Sequence, residues 1–376
     1  MKPKEIHSVF VCPNCHSQIT LVAISKEILD AVQIYCNPCK KRFLPLSPTD
    51  TRKMTAATEN VSFTQDNIVA TAVKTTSTNS DFSVKEMATS PGNIFPEKKE
   101  KISKVSNYSI IKEIGRGAMG VIYLAEHIET QKKAAIKLLT QDMQSNEKAT
   151  QRFLQEAKVH SKLEHPNIVH IYEVGYYTGA GLYMAMEYVE GYSLEKILQS
   201  KGALSIKDAL KISIAIAYAL ECALLQHIIH RDLKPGNILI DTVSRKVKVA
   251  DFGLGKILQE EGVTVAQEFL GTPYYMPPEQ IKDAKQVDQR ADIYALGATL
   301  YHMIAGRPPY SEKKATFAVI RAKTQESPIP LEKYVPNIPA NVVTLVEKAM
   351  AKEAELRYAN PTLFLNDMQK VLETIK

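Results

Sequence analysis

From Tyr108 to Tyr188 the chain runs mainly as short apolar, β-prone segments, and after Gly191 it turns to helical periodicity. The strand-like runs are 110–115, 121–126 and 134–139 around a glycine-rich turn; 168–176 and 182–188 follow a helical pattern at 147–163. β-Branched and aromatic residues bounded by turn formers favour strands. Strands gathered first and helices afterwards must bury their apolar faces in separate layers, which predicts an α+β arrangement of two lobes. Beyond Gly191 only 228–252 interrupts the helical pattern, and no internal repeat is visible.

The preceding residues have another character. Positions 46–106 are dense in Ser and Thr (Thr75-Thr76-Ser77-Thr78 is the extreme) and poor in aromatics, with Glu97-Lys98-Lys99-Glu100-Lys101 near their end. Such a stretch cannot bury enough apolar surface to offset the entropy of ordering, so a disordered Ser/Thr-rich linker is expected. Its hydroxyls read as a solvated spacer before they read as modification sites. The 376 residues thus divide into a small unit at 1–45, the linker at 46–106 and a large domain at 107–376.

Four of the five cysteines fall in the small unit, as Cys12-Pro13-Asn14-Cys15 and Cys36-Asn37-Pro38-Cys39. Each C-x-x-C offers two thiolates from one turn, and β-prone residues between the pairs would bring the turns together, the spacing of a zinc ribbon. In so short a unit the metal would supply much of the folding energy. Zn²⁺ is the expected ion, with iron or a redox dithiol as alternatives. His16 reads as a bystander, and Cys222 as helix core. The ribbon is expected to take a protein or nucleic-acid partner. Lys40-Lys41-Arg42-Phe43 offers a basic-aromatic edge, although a solvated charge run is the simpler account.

Charge and hydropathy exclude some classes. A net charge of +6 suits phosphate ligands but does not by itself indicate a nucleic-acid partner. No apolar core of a secretory leader follows Met1-Lys2-Pro3-Lys4, so a reducing, cytoplasmic setting is expected. Residues 212–229 are apolar enough to test as a membrane span. They carry Glu221 and Gln226 and follow closely on Lys207, Asp208 and Lys211, so a core helix is expected, with no membrane span.

The chemistry lies in the large domain. Gly115-Arg116-Gly117-Ala118-Met119-Gly120 is a G-x-G-x-x-G run. Dinucleotide-binding turns share it, but those lead into a helix, whereas here Val121-Ile122-Tyr123-Leu124 continues as β-prone chain. Ala134-Ala135-Ile136-Lys137 follows, with Lys137 seventeen residues after Gly120 and Glu156 nineteen further on, in a helical stretch. Then comes the octet His230-Arg231-Asp232-Leu233-Lys234-Pro235-Gly236-Asn237, and Asp251-Phe252-Gly253 lies fourteen residues past Asn237.

Together these motifs resemble the protein kinase family, and in particular the eukaryotic-like (Hanks-type) serine/threonine kinases of bacteria, over about 270 residues from Tyr108. The resemblance implies a bilobal fold with a β-rich N-lobe and a helical C-lobe. It implies ATP as co-substrate, with the glycine loop (Gly115, Gly117, Gly120) folding over its phosphates and Lys137, held by Glu156, reaching the α- and β-phosphates. Asp232 would accept or orient the proton of the substrate hydroxyl. Lys234 is similar to the lysine of the serine/threonine branch that steadies the transferring group. Asn237 and Asp251 would hold Mg²⁺ or Mn²⁺, hard ions that want oxygen ligands. Main-chain groups of Glu187 and Val189 would meet the adenine edge, with Ile122, Ala135 and Leu239 sandwiching the ring and Met186 as gatekeeper.

The same resemblance implies a peptide-docking segment at Gly271-Thr272-Pro273-Tyr274-Tyr275, and Met276-Pro277-Pro278-Glu279 in place of the family's A-P-E. Glu279 would pair with Arg357 in a late helix, and Asp292 would brace the catalytic loop. His160 stands where the family is usually apolar and reads as a buried neutral histidine. Arg231 would await a phosphate on the activation loop. Between Gly253 and Gly271 only Thr264 carries a hydroxyl, so Thr264 is the expected autophosphorylation site, reached through a transient dimer, in a signalling enzyme acting on protein substrates. The rivals are a non-catalytic scaffold, which would usually lack Lys137, Asp232 or Asp251, and a small-molecule kinase, against which the docking segment argues.

Overall fold

The computed structural model describes the backbone of 6–11, 18–23, 34–36 and 41–43, and then residues 102–117, 120–144, 146–178, 180–252, 273–283 and 287–375. Near the N-terminus β1 (Ile6–Val11) pairs antiparallel with β2 (Gln18–Ala23), and β3 (Ile34–Cys36) with β4 (Lys41–Phe43). β2 and β3 fall in the β-prone chain between the cysteine pairs. Cys12, Cys15 and Cys39 lie outside the described residues, and Cys36 is described by its backbone alone.

The N-lobe is a six-stranded antiparallel sheet. Its strands are β5 (Lys104–Val105), β6 (Tyr108–Arg116), β7 (Gly120–His127), β8 (Lys133–Leu139), β9 (Ile171–Tyr177) and β10 (Gly181–Glu187), in the order β5-β6-β7-β8-β10-β9. β5 falls inside the stretch assigned to the linker. Val105 is fully buried and pairs with Tyr108, so the sheet recruits residues that composition had marked as spacer. In β8 Ala134 to Leu139 are all buried, as a strand covered on both faces requires. A short helix α1 (Gln141–Gln144) leads to α2 (Glu147–His160), where Asn146 accepts from the Ala149 N–H as N-cap. α2 ends at His160, three residues before the expected limit.

The C-lobe opens with β11 (Gly191–Ser193), which forms a small sheet with β12 (Ile238–Asp241) and β13 (Val247–Val249). Ser193 caps α3 (Leu194–Lys201), and Ser205 caps α4 (Ile206–Leu225) by accepting from the Asp208 N–H at 3.0 Å. α4 therefore starts six residues before the apolar run and takes in Lys207, Asp208 and Lys211. Among the described residues no helix is long and apolar enough to cross a membrane. Cys222, expected in the core, packs half-buried at its rim.

Four more elements of the core follow a short α5 (Pro278–Lys282): α6 (Arg290–Ala305), α7 (Thr316–Gln325), α8 (Ala340–Ala349) and α9 (Pro361–Thr374). From Ala291 to Tyr301 every residue of α6 is buried, which makes it the axis of the lobe. It stops at Gly306, whose φ of +70° in the left-handed region suits glycine. Asn360 caps α9, with Pro361 at the first helical position.

Arg357 lies just before α9, after a single 3₁₀ turn (Ala354–Leu356), and not within a helix as expected. There its backbone can bring the guanidinium to the Glu279 carboxylate in two bonds of 2.6 and 2.7 Å, while the carbonyls of Arg290, Ala351 and Lys352 take its remaining protons. The side chain is fully buried. Removing one partner of such a pair leaves a buried charge without compensation, which costs about 3–5 kcal/mol. Because the Glu279 left behind is 29% exposed, Arg357→Met is expected to lower the unfolding free energy by at most that amount, seen as a lower denaturant midpoint at unchanged slope in urea unfolding followed by far-UV circular dichroism.

Candidate active site

The glycine loop joins β6 to β7, and the Gly117 N–H donates to the Gly120 carbonyl at 2.9 Å to close it. The three glycines are required for different reasons. A Cβ on Gly120 would collide with the Leu138 carbonyl oxygen of the neighbouring strand, so this glycine serves the sheet. A Cβ on Gly117 would meet nothing within 4 Å, and one on Gly115 only Ile122 at 3.9 Å. Those two positions face open space, where a backbone can approach a ligand.

Beneath the loop, Lys137 of β8 and Glu156 of α2 form an ion pair of 2.6 Å, and Asp251 lies 3.5 Å from the same ammonium. Burial alone would discharge Lys137, but Asp251 and Glu156 outweigh it and hold its pKa above the ordinary value. Two carboxylates sharing one lysine cannot be equal. Burial and the neighbouring Asp251 push Glu156 up to about 7 against the pull of Lys137. Asp251 is held below its ordinary value, despite burial, by Lys137 and two histidines. Asp251 therefore keeps its charge, as a cation ligand must.

The catalytic loop hangs from α6. Fully buried Asp292 accepts the His230 N–H at 2.7 Å and the Arg231 N–H at 2.8 Å. Burial raises its pKa against those two bonds. Arg231 can then hold φ at +65° and Asp251 at +58°, left-handed conformations that non-glycine residues adopt at a cost. His230 Nδ1 accepts from the Asp232 N–H at 3.3 Å, so its Nε2 carries the proton that goes to the Ala250 carbonyl at 3.0 Å. Asp232 receives Lys234 Nζ at 2.7 Å and Asn237 Nδ2 at 3.2 Å on the same carboxylate oxygen. With its NH₂ committed to Asp232, Asn237 has its carbonyl oxygen left for a cation.

An apolar cluster of Ala135, Met186, Ile122, Val189 and Leu239 gathers the residues expected around a base, and Ala250, which sequence reading missed, joins them. Met186, the expected gatekeeper, is 9% exposed and packs within this core. The Glu187 N–H goes to the His170 carbonyl and the Val189 carbonyl to the Gly191 N–H. These two bonds use neither the Glu187 carbonyl nor the Val189 N–H, the groups expected at a base edge. Sequence reading also missed Lys248, whose ammonium binds the Glu187 carboxylate at 2.7 Å, and Asn167, which donates to the Val247 carbonyl at 2.8 Å. Lys248 ties the hinge, the segment 187–189 expected at the adenine edge, to the C-lobe, and Asn167 does the same for the loop after α2; neither sits in a motif read above.

His160 is buried as expected, its Nε2 donating to the Val169 carbonyl at 2.7 Å and its ring edge-on to Phe252 at 5.6 Å. Arg231 Nη1 is buried without a partner among the described residues, while Nη2 reaches the Val287 carbonyl at 3.3 Å. Gly253, Thr264, Gly271 and Thr272 lie outside the described residues.

Residues 108–369 match the protein kinase domain family. The serine/threonine-protein kinase PrkC of Bacillus subtilis is 37% identical over 251 residues, covering 67% of this chain and 38% of that protein. A probable serine/threonine-protein kinase of Clostridium perfringens is 35% identical over 266 residues, covering 71% and 38%. The chain thus spans 38% of the length of both curated relatives. The crystal structure of the PknI kinase domain of Mycobacterium tuberculosis matches with a TM-score of 0.56 at 27% identity, covering 72% of this chain and 99% of that one.

Burial, opposed by the Val169 hydrogen bond, lowers His160 to about 4 from 6.5. The unfolded chain then binds the extra proton between these values, so stability rises with pH across that window and is lost as pH falls from about 6.5 towards 4. His160 accounts for at most about 3 kcal/mol of that loss. Thermal unfolding of His160→Leu at pH 7 and pH 5 is expected to show a smaller drop in Tm on acidification than the unsubstituted chain.

Proposed function

The chain belongs to the protein kinase family, and we propose that it transfers the γ-phosphoryl group of ATP to serine and threonine hydroxyls of protein substrates. The observation that carries this reading is the Lys137–Glu156 ion pair, with Asp251 beside the same ammonium and the N-lobe stitched through Asn167 and Val169 to Val249 of β13, the strand that leads to Asp251. A scaffold would have no use for a buried lysine held between two carboxylates.

The adenine would lie against Ile122, Ala135 and Leu239, with its edge on the Glu187 and Val189 main chain. Backbone N–H groups around Gly115, Gly117 and Gly120 would cover the phosphates, and Lys137 would reach them from below. Asn237 and Asp251 fit Mg²⁺ or Mn²⁺, two oxygen donors beside phosphate oxygens, and the ion would neutralise charge on the transferring group. Asp232 would orient the acceptor hydroxyl and take its proton as the new oxygen–phosphorus bond forms and ADP departs. Lys234, half-exposed and 2.7 Å from Asp232, stands where it can steady the phosphoryl oxygens.

The partnerless Nη1 of Arg231 supports control by a phosphate on the activation loop, and Thr264 is the residue proposed to carry it, by autophosphorylation in a transient dimer. The N-terminal unit is proposed as a zinc ribbon that brings a protein or nucleic-acid partner to a signalling kinase. What supports this is the C-x-x-C spacing of the two pairs, with Cys36 closing a strand of one antiparallel hairpin. Free thiolates of this kind suit a reducing cytoplasm.

Transfer of ³²P from ATP to casein is expected to fall by roughly 10²-fold or more in Asp232→Asn, the scale of a lost proton acceptor; equal transfer by both chains would overturn the kinase reading. In the same assay Thr264→Ala is expected to lose most autophosphorylation and its activating effect. Metal analysis of the full chain is expected to find about one zinc per chain, lost in Cys12→Ser/Cys15→Ser.

A further inference from the structure

The docking segment just before α5 is anchored by a polar contact that phosphoryl transfer itself does not use. The Tyr275 hydroxyl lies 2.7 Å from Nδ1 of His302 on α6, and the two rings stack at 21° with centroids 6.1 Å apart. Burial lowers His302 to about 4, so the imidazole is neutral at ordinary pH. Burial, followed by the fields of Glu195 and Tyr274, raises the Tyr275 phenol above its ordinary value, so it keeps its proton. The phenol is therefore the donor and Nδ1 the acceptor, with the imidazole proton on Nε2.

The pair lies beside the catalytic loop. Glu195, whose field reaches the Tyr275 phenol, has its carboxylate next to Gly236, where a Cβ would sit 3.5 Å from Oε2. Tyr275 thus bridges from α6 towards the loop that carries Asp232 and Asn237. Its neighbours are tied elsewhere. Tyr274 packs on the cluster of Tyr310, Val319 and Ala322 that includes α7, and Gln280 of α5 donates to the Arg231 carbonyl at 3.0 Å. The Tyr275–His302 hydrogen bond is the tie of this segment to α6, the helix that also carries Asp292 and so sets the height of the catalytic loop.

We infer that His302 is a positioning residue for protein-substrate binding, its Nδ1 holding Tyr275 and thereby the docking segment in register with the catalytic loop. This rests on the kinase reading above and adds a specific consequence. Loss of the acceptor weakens the grip on the protein substrate while nucleotide binding and the chemical step, which use other residues, stay intact.

The test uses the full chain with Mg-ATP and casein, comparing the unsubstituted protein with His302→Phe, His302→Asn, Tyr275→Phe and the double variant His302→Phe/Tyr275→Phe. The KM for casein is expected to rise about 5- to 10-fold in His302→Phe and in Tyr275→Phe, the scale of one net hydrogen bond, with kcat and the KM for ATP within about twofold. The double variant is expected to be no worse than either single one, because both remove the same contact. His302→Asn, whose amide oxygen can accept from the phenol, is expected to recover most of the affinity.

An unchanged casein KM in His302→Phe, additive effects in the double variant, or a parallel fall in kcat would overturn the inference. Hydrogen exchange supplies a readout independent of activity. Peptides covering 273–278 are expected to exchange faster in His302→Phe while those of α6 do not change. If the unsubstituted chain transfers no phosphate, the kinase reading falls and exchange alone decides the positioning claim. If transfer is normal and exchange of 273–278 is unaltered, the positioning claim falls and the kinase reading stands.

Discussion

A buried carboxylate holds the catalytic loop in place. Asp292 is fully buried in α6, and its two oxygens are spent on the backbone N–H groups of His230 and Arg231. A buried charge persists only where it is hydrogen-bonded in this way, so the loop and the helix cannot separate without leaving the carboxylate unpartnered. That attachment lets Arg231 keep a left-handed backbone and lets Asp232 project beside Asn237 and Lys234. The same helix carries His302 under the docking segment, and its first residue, Arg290, lends a carbonyl to Arg357. Catalytic loop, docking segment and the Glu279–Arg357 pair therefore share α6 as one reference frame.

The N-lobe enters that frame through a narrow seam. The Val249 N–H donates to the Asn167 carbonyl, the Val169 N–H donates back to Val249, and Lys248 reaches the hinge carboxylate of Glu187. These contacts bring Asp251, just past β13, to the ammonium that β8 and α2 supply. The competition of Glu156 and Asp251 for Lys137 then sorts the carboxylates by environment. Glu156 is raised by burial and Asp251 is depressed, while both face the one ammonium. His160 and His230 flank Phe252 and add to the depression of Asp251, so aromatic packing and electrostatics act on the same few atoms.

Much of the site could be read from the chain because its chemistry is written in short spacings. Asp232, Lys234 and Asn237 lie within one octet, and local backbone geometry largely sets their relation. Lys137 and Glu156 could be paired because a strand and the next helix bring them together over nineteen residues. The buried neutral His160 followed from the family resemblance, in which that position is usually apolar. What escaped were partners joined across long separations with no motif of their own: Lys248 with Glu187, Asn167 with Val247, and Tyr275 with His302. Val105 was misplaced for a related reason, since composition labelled it spacer while pairing with Tyr108 buried it.

The sequence by itself determined the order of the lobes, the reaction class its motifs resemble, and the residues expected at phosphate and metal, because periodicity and motif spacing are local properties. Only the tertiary structure decided in which direction each carboxylate beside Lys137 is shifted, which glycine serves the sheet rather than a ligand, and which helix steadies the docking segment. Those outcomes depend on burial and on contacts between residues tens of positions apart, and neither exists until the chain has packed.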